Sequence, residues 1–529
     1  YYSQYGSLLA DQRGFGAVEA YQKAIVFYLQ TGDTTNAGIV YNKLGYFYLK
    51  AQDKVPEAFR AFKRALILIR KQRGDLDMEA LILSNLGYCY ERQGAYKTAF
   101  NYYQRSLNTF PIHFTDSLPE RNPPGTVIRL AYSKESLLSV IQDKADAWLA
   151  WAKSSGNRAH LHHALATYRT ADQMIDFMRW EHTGEESKRF WREKTHRLYE
   201  NAIETCHRLN RPEDAFYFFE KSRAALLSDR LNELGASQLL NPADQKREAD
   251  LQKTVGELRQ KVGEAKPGDK TGDSLRQALL SEEETQTSFV RSLETRNPAY
   301  FRYRYDTSAV RLQTVREKLL TEGQTLLEYF VGDSAVYALT VTATSAKLTR
   351  LAVKDYAQTT RQLLTLSADA AALNQRFPAF LKTSHQLFRE LFAPLGVPKG
   401  RVIVSPDGAI LPLELLSRSP SRPDWLLRDY AFSYTYSAQF LIKQASRRPL
   451  VSGSFLGLAP VSFASGQPSL GGSDASLSTL GGGFFSPTLL SGSTATKRAF
   501  LRELPRHRVA LLYAHAQADS SGREPEIFF

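Results

Sequence analysis

Residues 41–50, YNKLGYFYLK, decide the fold of the first part of the chain, because their pattern returns as LSNLGYCYER at residues 83–92. Gly45 and Gly87 occupy the same place in the two copies and lie 42 residues apart. The following segments repeat as well, with Ala58 matched by Ala99 41 residues later. Large side chains recur at helical spacing, and Gly and Ala mark places where two antiparallel helices approach closely. The pattern predicts a solenoid of helical hairpins.

Further copies of the small-large-small pattern extend this prediction in both directions. They comprise Ala17, Tyr21 and Ala24 before the first stretch, then Ala164, Tyr168 and Ala171, then Ala215, Phe219 and Ser222. The repeat resembles the tetratricopeptide repeat, in a variant longer than the usual 34 residues. We therefore predict helical repeats over residues 1–235. The charged segment 236–300, with apolar residues at three-and-four spacing, predicts a helical hairpin that acts as a spacer.

The hydrophobic period changes after Asn297 and Pro298. Two β-rich runs, 326–331 and 335–342, flank Gly332-Asp333 and predict a β-hairpin. Further strands are predicted at 402–404 and 455–459, separated by helical stretches, which indicates a sheet covered on both faces. We expect a Gly/Ser-rich loop over 463–493 and then a helix with Ser493 or Thr494 at its N-cap. Residues 301–529 are thus predicted to form an α/β domain.

Composition excludes several classes of protein. Lys and Arg exceed Asp and Glu by 13, but no run of five like charges occurs, so the basic balance permits an acidic partner or nucleic acid without demonstrating either, and we do not expect nucleic-acid binding. Cys89 and Cys206 have no CxxC spacing, which predicts neither disulfides nor a zinc site and favours a reducing, cytoplasmic compartment. The sequence contains no stretch of 18 apolar residues, so it predicts no membrane span. No nucleotide motif is complete, and we expect no metal and no cofactor.

His515 stands out in the last stretch, HRVALLYAHAQADSSGREPEIFF, residues 507–529. The apolar run 509–513 has the length of a strand and leads into a polar segment, so His515 is predicted at a strand end. Ligands of open α/β sheets collect at the carboxyl ends of strands. A histidine there titrates near neutral pH and can act as a general base, although a histidine with a purely structural role fits the same pattern.

The order of motifs resembles the CHAT (caspase-HetF-associated) family, whose domain follows tetratricopeptide repeats in many bacterial proteins. The resemblance covers nearly the whole chain. It is strongest in VIVSPDGAILPLELL (402–416) and in VALLYAHAQAD (509–519), and it extends to GQTLLEYFVGDSAVYALTV (323–341) and STATKRAFLREL (493–504). It implies a caspase-like α/β domain that cleaves peptides with a Cys-His dyad, in which an imidazole activates a thiolate.

The resemblance assigns roles to particular residues. His515 matches the family's catalytic histidine, and Ala516, where the family usually has Gly, would donate its backbone N–H to the oxyanion. Asp407 and Asp519 are candidates for an acidic pocket that holds a basic substrate residue, although Asp407 also fits a structural role in the Pro-Asp-Gly turn. The family's catalytic cysteine follows a later strand, so we expect the domain to be incomplete at Phe529.

Two functions fit these residues, and a third, a nucleic-acid-linked effector, rests only on the basic balance. The first is a caspase-like cysteine endopeptidase that cleaves a protein substrate and is regulated by a partner or activator bound to the repeats. The alternative is an interaction scaffold, in which the repeats bind a partner's helix or extended segment and the caspase-like domain is inert.

Overall fold

The computed structural model describes residues 3–4, 6–7, 16–71, 75–129, 131–181, 185–235, 240–264, 270–297, 300, 309–353, 355–368, 370–407, 411–445, 453–463, 466–517 and 526–528. The chain divides into two compact units, Tyr1–Ile442 and Lys443–Phe529. The first unit contains helical repeats followed by a mixed sheet, and the second contains a small parallel sheet. The domain boundaries predicted at 235 and 300 stay predictions.

The first unit begins with antiparallel helices, as the repeat predicted. In the described residues, its helices up to the sheet include α1 (Ala17–Gln30), α2 (Thr34–Lys50), α3 (Val55–Lys71), α4 (Leu76–Arg92), α5 (Tyr96–Thr109), α6 (Gly125–Ile128), α7 (Lys134–Ser155), α8 (Arg158–Glu181), α9 (Glu185–Leu209), α10 (Pro212–Gly235), α11 (Pro242–Glu264), α12 (Lys270–Arg296) and α13 (Leu312–Leu319). Successive hairpins are formed by α2 with α3, α4 with α5, α7 with α8, and α9 with α10.

Close helix packing explains the small residues of the repeat. A Cβ atom on Gly45 would lie 2.7 Å from the Phe62 ring, and one on Gly87 would lie 3.2 Å from the carbonyl oxygen of Ala99. Phe62 and Ala99 are completely buried. In each hairpin, a glycine of the first helix thus faces buried residues of the second helix, where a larger side chain would not fit.

A buried lysine holds the proline-rich segment between α5 and α6. Lys144 Nζ donates hydrogen bonds to Gln104 Oε1 at 2.8 Å, to the carbonyl oxygen of Arg121 at 2.6 Å and to Asn122 Oδ1 at 3.0 Å. Three neutral acceptors satisfy its three donors. Burial lowers the pKa of this amine to about 7, because none of these acceptors carries a compensating charge.

The sheet of the first unit has the order β3-β2-β1-β4-β5. Its strands are β1 (Thr325–Val331), β2 (Val336–Val341), β3 (Ala346–Leu351), β4 (Gly400–Ser405) and β5 (Tyr430–Tyr434). Strands β1 and β2 form the predicted antiparallel hairpin, whereas β4 runs parallel to both β1 and β5. The helices α14 (Tyr356–Ala368), α15 (Ala370–Gln375) and α16 (Phe377–Leu387) precede β4, and α17 (Ala438–Ala445) follows β5.

Both faces of this sheet are covered, as alternation along β1 shows. Leu326 and Phe330 belong to the core formed with helices α5 and α7 to α10, whereas Leu327 and Tyr329 belong to the core formed with α14 and α16. Since successive strand residues point to opposite faces, β1 separates two hydrophobic cores. The predicted α/β architecture is confirmed, and the last helices of the solenoid form one of its layers.

The second unit contains a parallel sheet of order β7-β6-β8. It comprises β6 (Gly453–Ala459), α18 (Ser473–Gly481), β7 (Thr488–Ser491), α19 (Lys497–Glu503), β8 (His507–Leu512), and the antiparallel pair β9 (His515–Gln517) and β10 (Glu526–Phe528). The prediction of a loop over 463–493 was wrong, because α18 and β7 lie within it. Leu477 of α18 is buried against Phe455 of β6, and such packing stabilises a helix that Gly and Ser disfavour.

The predicted N-cap of α19 was also wrong. Thr496 occupies that position, and its hydroxyl accepts a hydrogen bond from the backbone N–H of Ala499 at 3.2 Å. Thr494 instead closes a short 3-10 turn, in which its hydroxyl accepts from the N–H of Ser491. Several Ser and Thr residues in succession offered equivalent caps, and the sequence alone did not distinguish them.

We predict that Gly45→Leu lowers the free energy of unfolding by about 1–3 kcal/mol, because the new side chain must displace the Phe62 ring. The measurement is chemical denaturation. Gly256→Ala on α11 is the control, since a Cβ atom there meets nothing within 4 Å. That variant should be neutral or more stable by up to about 1 kcal/mol. Equal stability of both variants would contradict the packing described for the repeat.

Candidate partner-binding surface and candidate active site

The first helices of neighbouring hairpins lie side by side and carry polar and aromatic side chains. Asn85 of α4 donates a hydrogen bond to Asn42 of α2 at 2.9 Å. Lys50 Nζ lies 4.5 Å from the centre of the Tyr88 ring and 5.9 Å from that of Tyr46, which is 53% exposed. These contacts join α2 and α4 into one continuous area, which we call the first-helix surface; it extends to the first helices α7 and α9.

A group of carboxylates forms its acidic part. Asp146 of α7 accepts hydrogen bonds from the Tyr168 hydroxyl at 2.6 Å and from Arg197 of α9, which is also its ion-pair partner. Burial, together with the charges of Asp143 and Asp146, raises the pKa of Glu91 on α4 to about 7. Burial and Asp146 likewise raise the pKa of Asp143 to about 6. The charge of this part of the surface therefore changes near neutral pH.

His515 lies just beyond the carboxyl end of β8, in the second unit. It is the first residue of β9, after Tyr513, whose N–H donates to the carbonyl oxygen of Leu458 in β6. Its Nε2 lies 2.8 Å from the carbonyl oxygen of Pro468, and its ring packs edge-on against Phe463, with centroids 4.9 Å apart. If Nε2 donates to that carbonyl, the lone pair of the neutral ring is on Nδ1.

The other residues assigned by the CHAT resemblance have different surroundings. Ala516 follows His515 in β9 and lies opposite Ile527 of β10. Asp519 lies outside the described residues. Cys89 and Cys206 are completely buried in α4 and α9, and burial raises the pKa of both thiols, that of Cys89 to about 12. Neither cysteine has the exposure or the thiolate character that a nucleophile requires.

Asp407 has a structural partner. Its Oδ2 accepts a hydrogen bond of 2.8 Å from the backbone N–H of Val331, the last residue of β1. Asp407 also lines a small recess with Tyr329, Tyr356 and Pro406. The sequence suggested that this carboxylate braces its own turn, whereas the bond shown here joins the turn after β4 to the neighbouring strand. A role in holding a substrate stays a prediction.

Three possible metal ligands meet where α9 contacts the β1–β2 turn, at His196, Glu200 and Asp333. The ligand atoms lie within 4.8 Å of one another. However, the Glu200 carboxylate accepts hydrogen bonds of 2.9 Å from the N–H groups of Asp333 and Ser334, and another from the Ser334 hydroxyl. Glu200 therefore satisfies the backbone donors of the turn and fixes the β-hairpin to the solenoid.

The repeat region matches a family of known proteins. Residues 36–111 match the tetratricopeptide repeat family, and they cover the hairpins α2–α3 and α4–α5 except for the first two residues of α2. No curated protein matches the chain. The tetratricopeptide prediction is confirmed for these two hairpins. None of the described helices is both long and apolar enough to cross a membrane.

We predict that Asp407→Ala destabilises the protein by about 1–2 kcal/mol, because the Val331 N–H loses its acceptor. Asp407→Asn keeps an acceptor oxygen and should cost less. Thermal or chemical unfolding of the two variants measures the difference. If alanine and asparagine both leave stability unchanged, the hydrogen bond to Val331 is not the reason for an aspartate at this position.

Proposed function

We propose that this chain acts through protein–protein interaction, with the tetratricopeptide hairpins binding a protein or peptide partner on the first-helix surface. The match of residues 36–111 to the tetratricopeptide repeat carries this proposal. A solenoid of stacked hairpins presents an extended surface that suits a partner's helix or extended segment.

The composition of the first-helix surface supports peptide recognition. Exposed Tyr46 offers an aromatic contact, and the side-chain amides of Asn42 and Asn85 can bond to peptide backbone groups. The acidic part adds the carboxylate of Asp143 close to these groups, whereas the charge of Asp146 is paired with Arg197. A partner that combines an apolar anchor with a basic residue would match this combination.

A second candidate, a cysteine peptidase of the CHAT type, is favoured by the position of His515 beyond the carboxyl end of a strand in a parallel sheet. In that mechanism, His515 activates a thiolate and protonates the leaving amine, and the N–H of Ala516 contributes to the oxyanion site. Cys89 and Cys206 are buried and cannot supply this thiolate. The candidate therefore requires a cysteine other than Cys89 and Cys206, and the repeats would regulate the peptidase through their partner.

For the interaction function, we predict that Tyr46→Ala weakens partner binding about tenfold, or on the order of 1.4 kcal/mol, because an exposed aromatic anchor is lost. Partners are first captured by cross-linking in cells and identified by mass spectrometry, and affinities are then measured by calorimetry. Phe27→Ala is the matched control, since this aromatic side chain is similarly exposed at 58% and lies on α1, outside the first-helix surface. Equal losses for both variants, or no loss for Tyr46→Ala, would remove the first-helix surface as the binding site.

For the peptidase candidate, we predict that His515→Ala lowers the rate of peptide cleavage by about 10²–10⁴-fold, the range for general-base catalysis. The measurement is mass spectrometry of new peptide termini after incubation with the activated protein. His507→Ala is the control, because His507 begins β8 and bonds to Glu503 and Thr488 rather than facing the strand end. Equal cleavage by wild type and His515→Ala would exclude His515 from the mechanism. Absence of cleavage by the activated wild type would favour the scaffold.

A further inference from the structure

One turn of helix α10 places two charged side chains inside the first unit, against the sheet. Glu220 is 1% exposed and Arg223 is 5% exposed, and Arg223 faces Glu328 of β1, which is completely buried. Buried charges are costly unless they are paired or neutralised. The question is therefore which of the two carboxyl groups is ionised beside the Arg223 guanidinium.

Arg223 binds the carboxyl ends of two parallel strands. Its Nη2 donates hydrogen bonds to the carbonyl oxygens of Tyr329 in β1 and of Ser405 in β4, the latter at 3.2 Å. Its Nη1 lies 3.2 Å from Glu328 Oε2. Glu328 and Ser405 are directly opposite each other in the strand register. A single guanidinium group thus connects α10 to both strands.

Glu220 has a different task, which requires it to be ionised. Its two carboxylate oxygens accept hydrogen bonds from the backbone N–H groups of Ala438 at 3.1 Å and of Gln439 at 2.7 Å. These groups belong to the first turn of α17, and the N-terminus of a helix favours a negative charge. Protonation of Glu220 would remove an acceptor from this cap.

Glu328 is not held by backbone N–H groups in this way. Among the described residues, neither of its carboxylate oxygens accepts a hydrogen bond, and the Nε and Nη1 groups of Arg223 donate none, so the two side chains meet as an ion pair only. The charged groups that face it are Arg223 and Glu220, both from α10. The hydroxyl of Ser405, the residue opposite Glu328 in β4, donates to the Tyr436 carbonyl, and the Tyr436 hydroxyl donates to the Arg223 carbonyl. Two ionised carboxylates beside one guanidinium would leave a buried net negative charge.

We propose that Glu328 is a neutral carboxylic acid at pH 7, and that Glu328, Arg223 and ionised Glu220 form a charge-neutral cluster through which α10 holds the carboxyl ends of β1 and β4. One proton on Glu328 balances the single positive charge of Arg223 against the single negative charge of Glu220. The protonated carboxyl can also donate a hydrogen bond to Glu220.

The direction of titration agrees with this geometry. Burial raises the pKa of Glu328 well above its usual range, Arg223 opposes the rise, and Glu220 adds to it. Because the folded state then holds a proton that the unfolded state releases, stability is greatest below the unfolded pKa and falls as pH rises towards the folded pKa. A glutamine at position 328, which is neutral at every pH, should not cause this loss of stability as the pH rises.

The proposal is tested by comparing Glu328→Gln with Glu220→Gln at pH 5 and pH 8. Glutamine resembles the neutral acid, so Glu328→Gln should fold like the wild type, and its melting temperature relative to wild type should rise between pH 5 and pH 8. Glu220→Gln should melt lower at both pH values, because its amide offers one acceptor oxygen where the α17 cap uses two.

Two outcomes would overturn the proposal. One is a melting difference between Glu328→Gln and wild type that does not change with pH, which would mean that Glu328 is ionised in the folded state. The other is a stable Glu220→Gln beside an unstable Glu328→Gln, which would place the proton on Glu220. If a variant fails to fold, the infrared spectrum of the wild type at pH 8 still decides the question. Glu91 and Asp143, with pKa values of about 7 and 6, are then mostly ionised, so a remaining carbonyl band of a protonated carboxyl group supports the proposal and its absence overturns it.

Discussion

The contact of Arg223 with the ends of β1 and β4 is the interaction on which the organisation of the first unit depends. It allows the last hairpin of the solenoid, α9–α10, to serve as a covering layer of the sheet instead of a free end of the repeat array. Helix α9 contributes Glu204, which accepts a hydrogen bond of 2.6 Å from the Tyr337 hydroxyl of β2. The same helix carries Arg197 of the first-helix surface, so one rigid element contacts both the proposed partner-binding region and the sheet.

Much of this fold could be predicted from the sequence, because local patterns determine it. Gly45 and Gly87 recur at a fixed period and mark close helix contacts, which is why the hairpins were predicted correctly. Gly332-Asp333 between two β-rich runs predicted the β1–β2 turn. The run at 402–404 predicted β4, because its residues are apolar without alternation, as in a buried strand. In the structure, β4 pairs with a strand on each side.

Contacts between distant parts of the chain could not be predicted in this way. Nothing near Asp407 in the sequence indicates that its carboxylate binds the Val331 N–H, and nothing near Glu200 indicates the turn that it caps. A signal did exist for Glu220 and Arg223. The polar group EKSR interrupts the apolar run FYFFEKSRAALL, and these two residues, three positions apart, lie on one face of the helix. Such a pair inside an apolar helix indicates a buried polar contact, but the sequence does not identify its partner in β1.

Native-state hydrogen exchange of Arg223→Met tests most directly whether α10 holds the sheet. Arg169→Met is the control, because it removes the same charge from an ion pair with Asp214 in which the arginine is half-exposed. We expect Arg223→Met to lose amide protection in β1, β4 and α17 while α2–α5 keep theirs, and Arg169→Met to retain protection in all of these elements. Unchanged protection of the two strands in Arg223→Met, or an equal loss throughout the repeats, would contradict the central role assigned to this arginine.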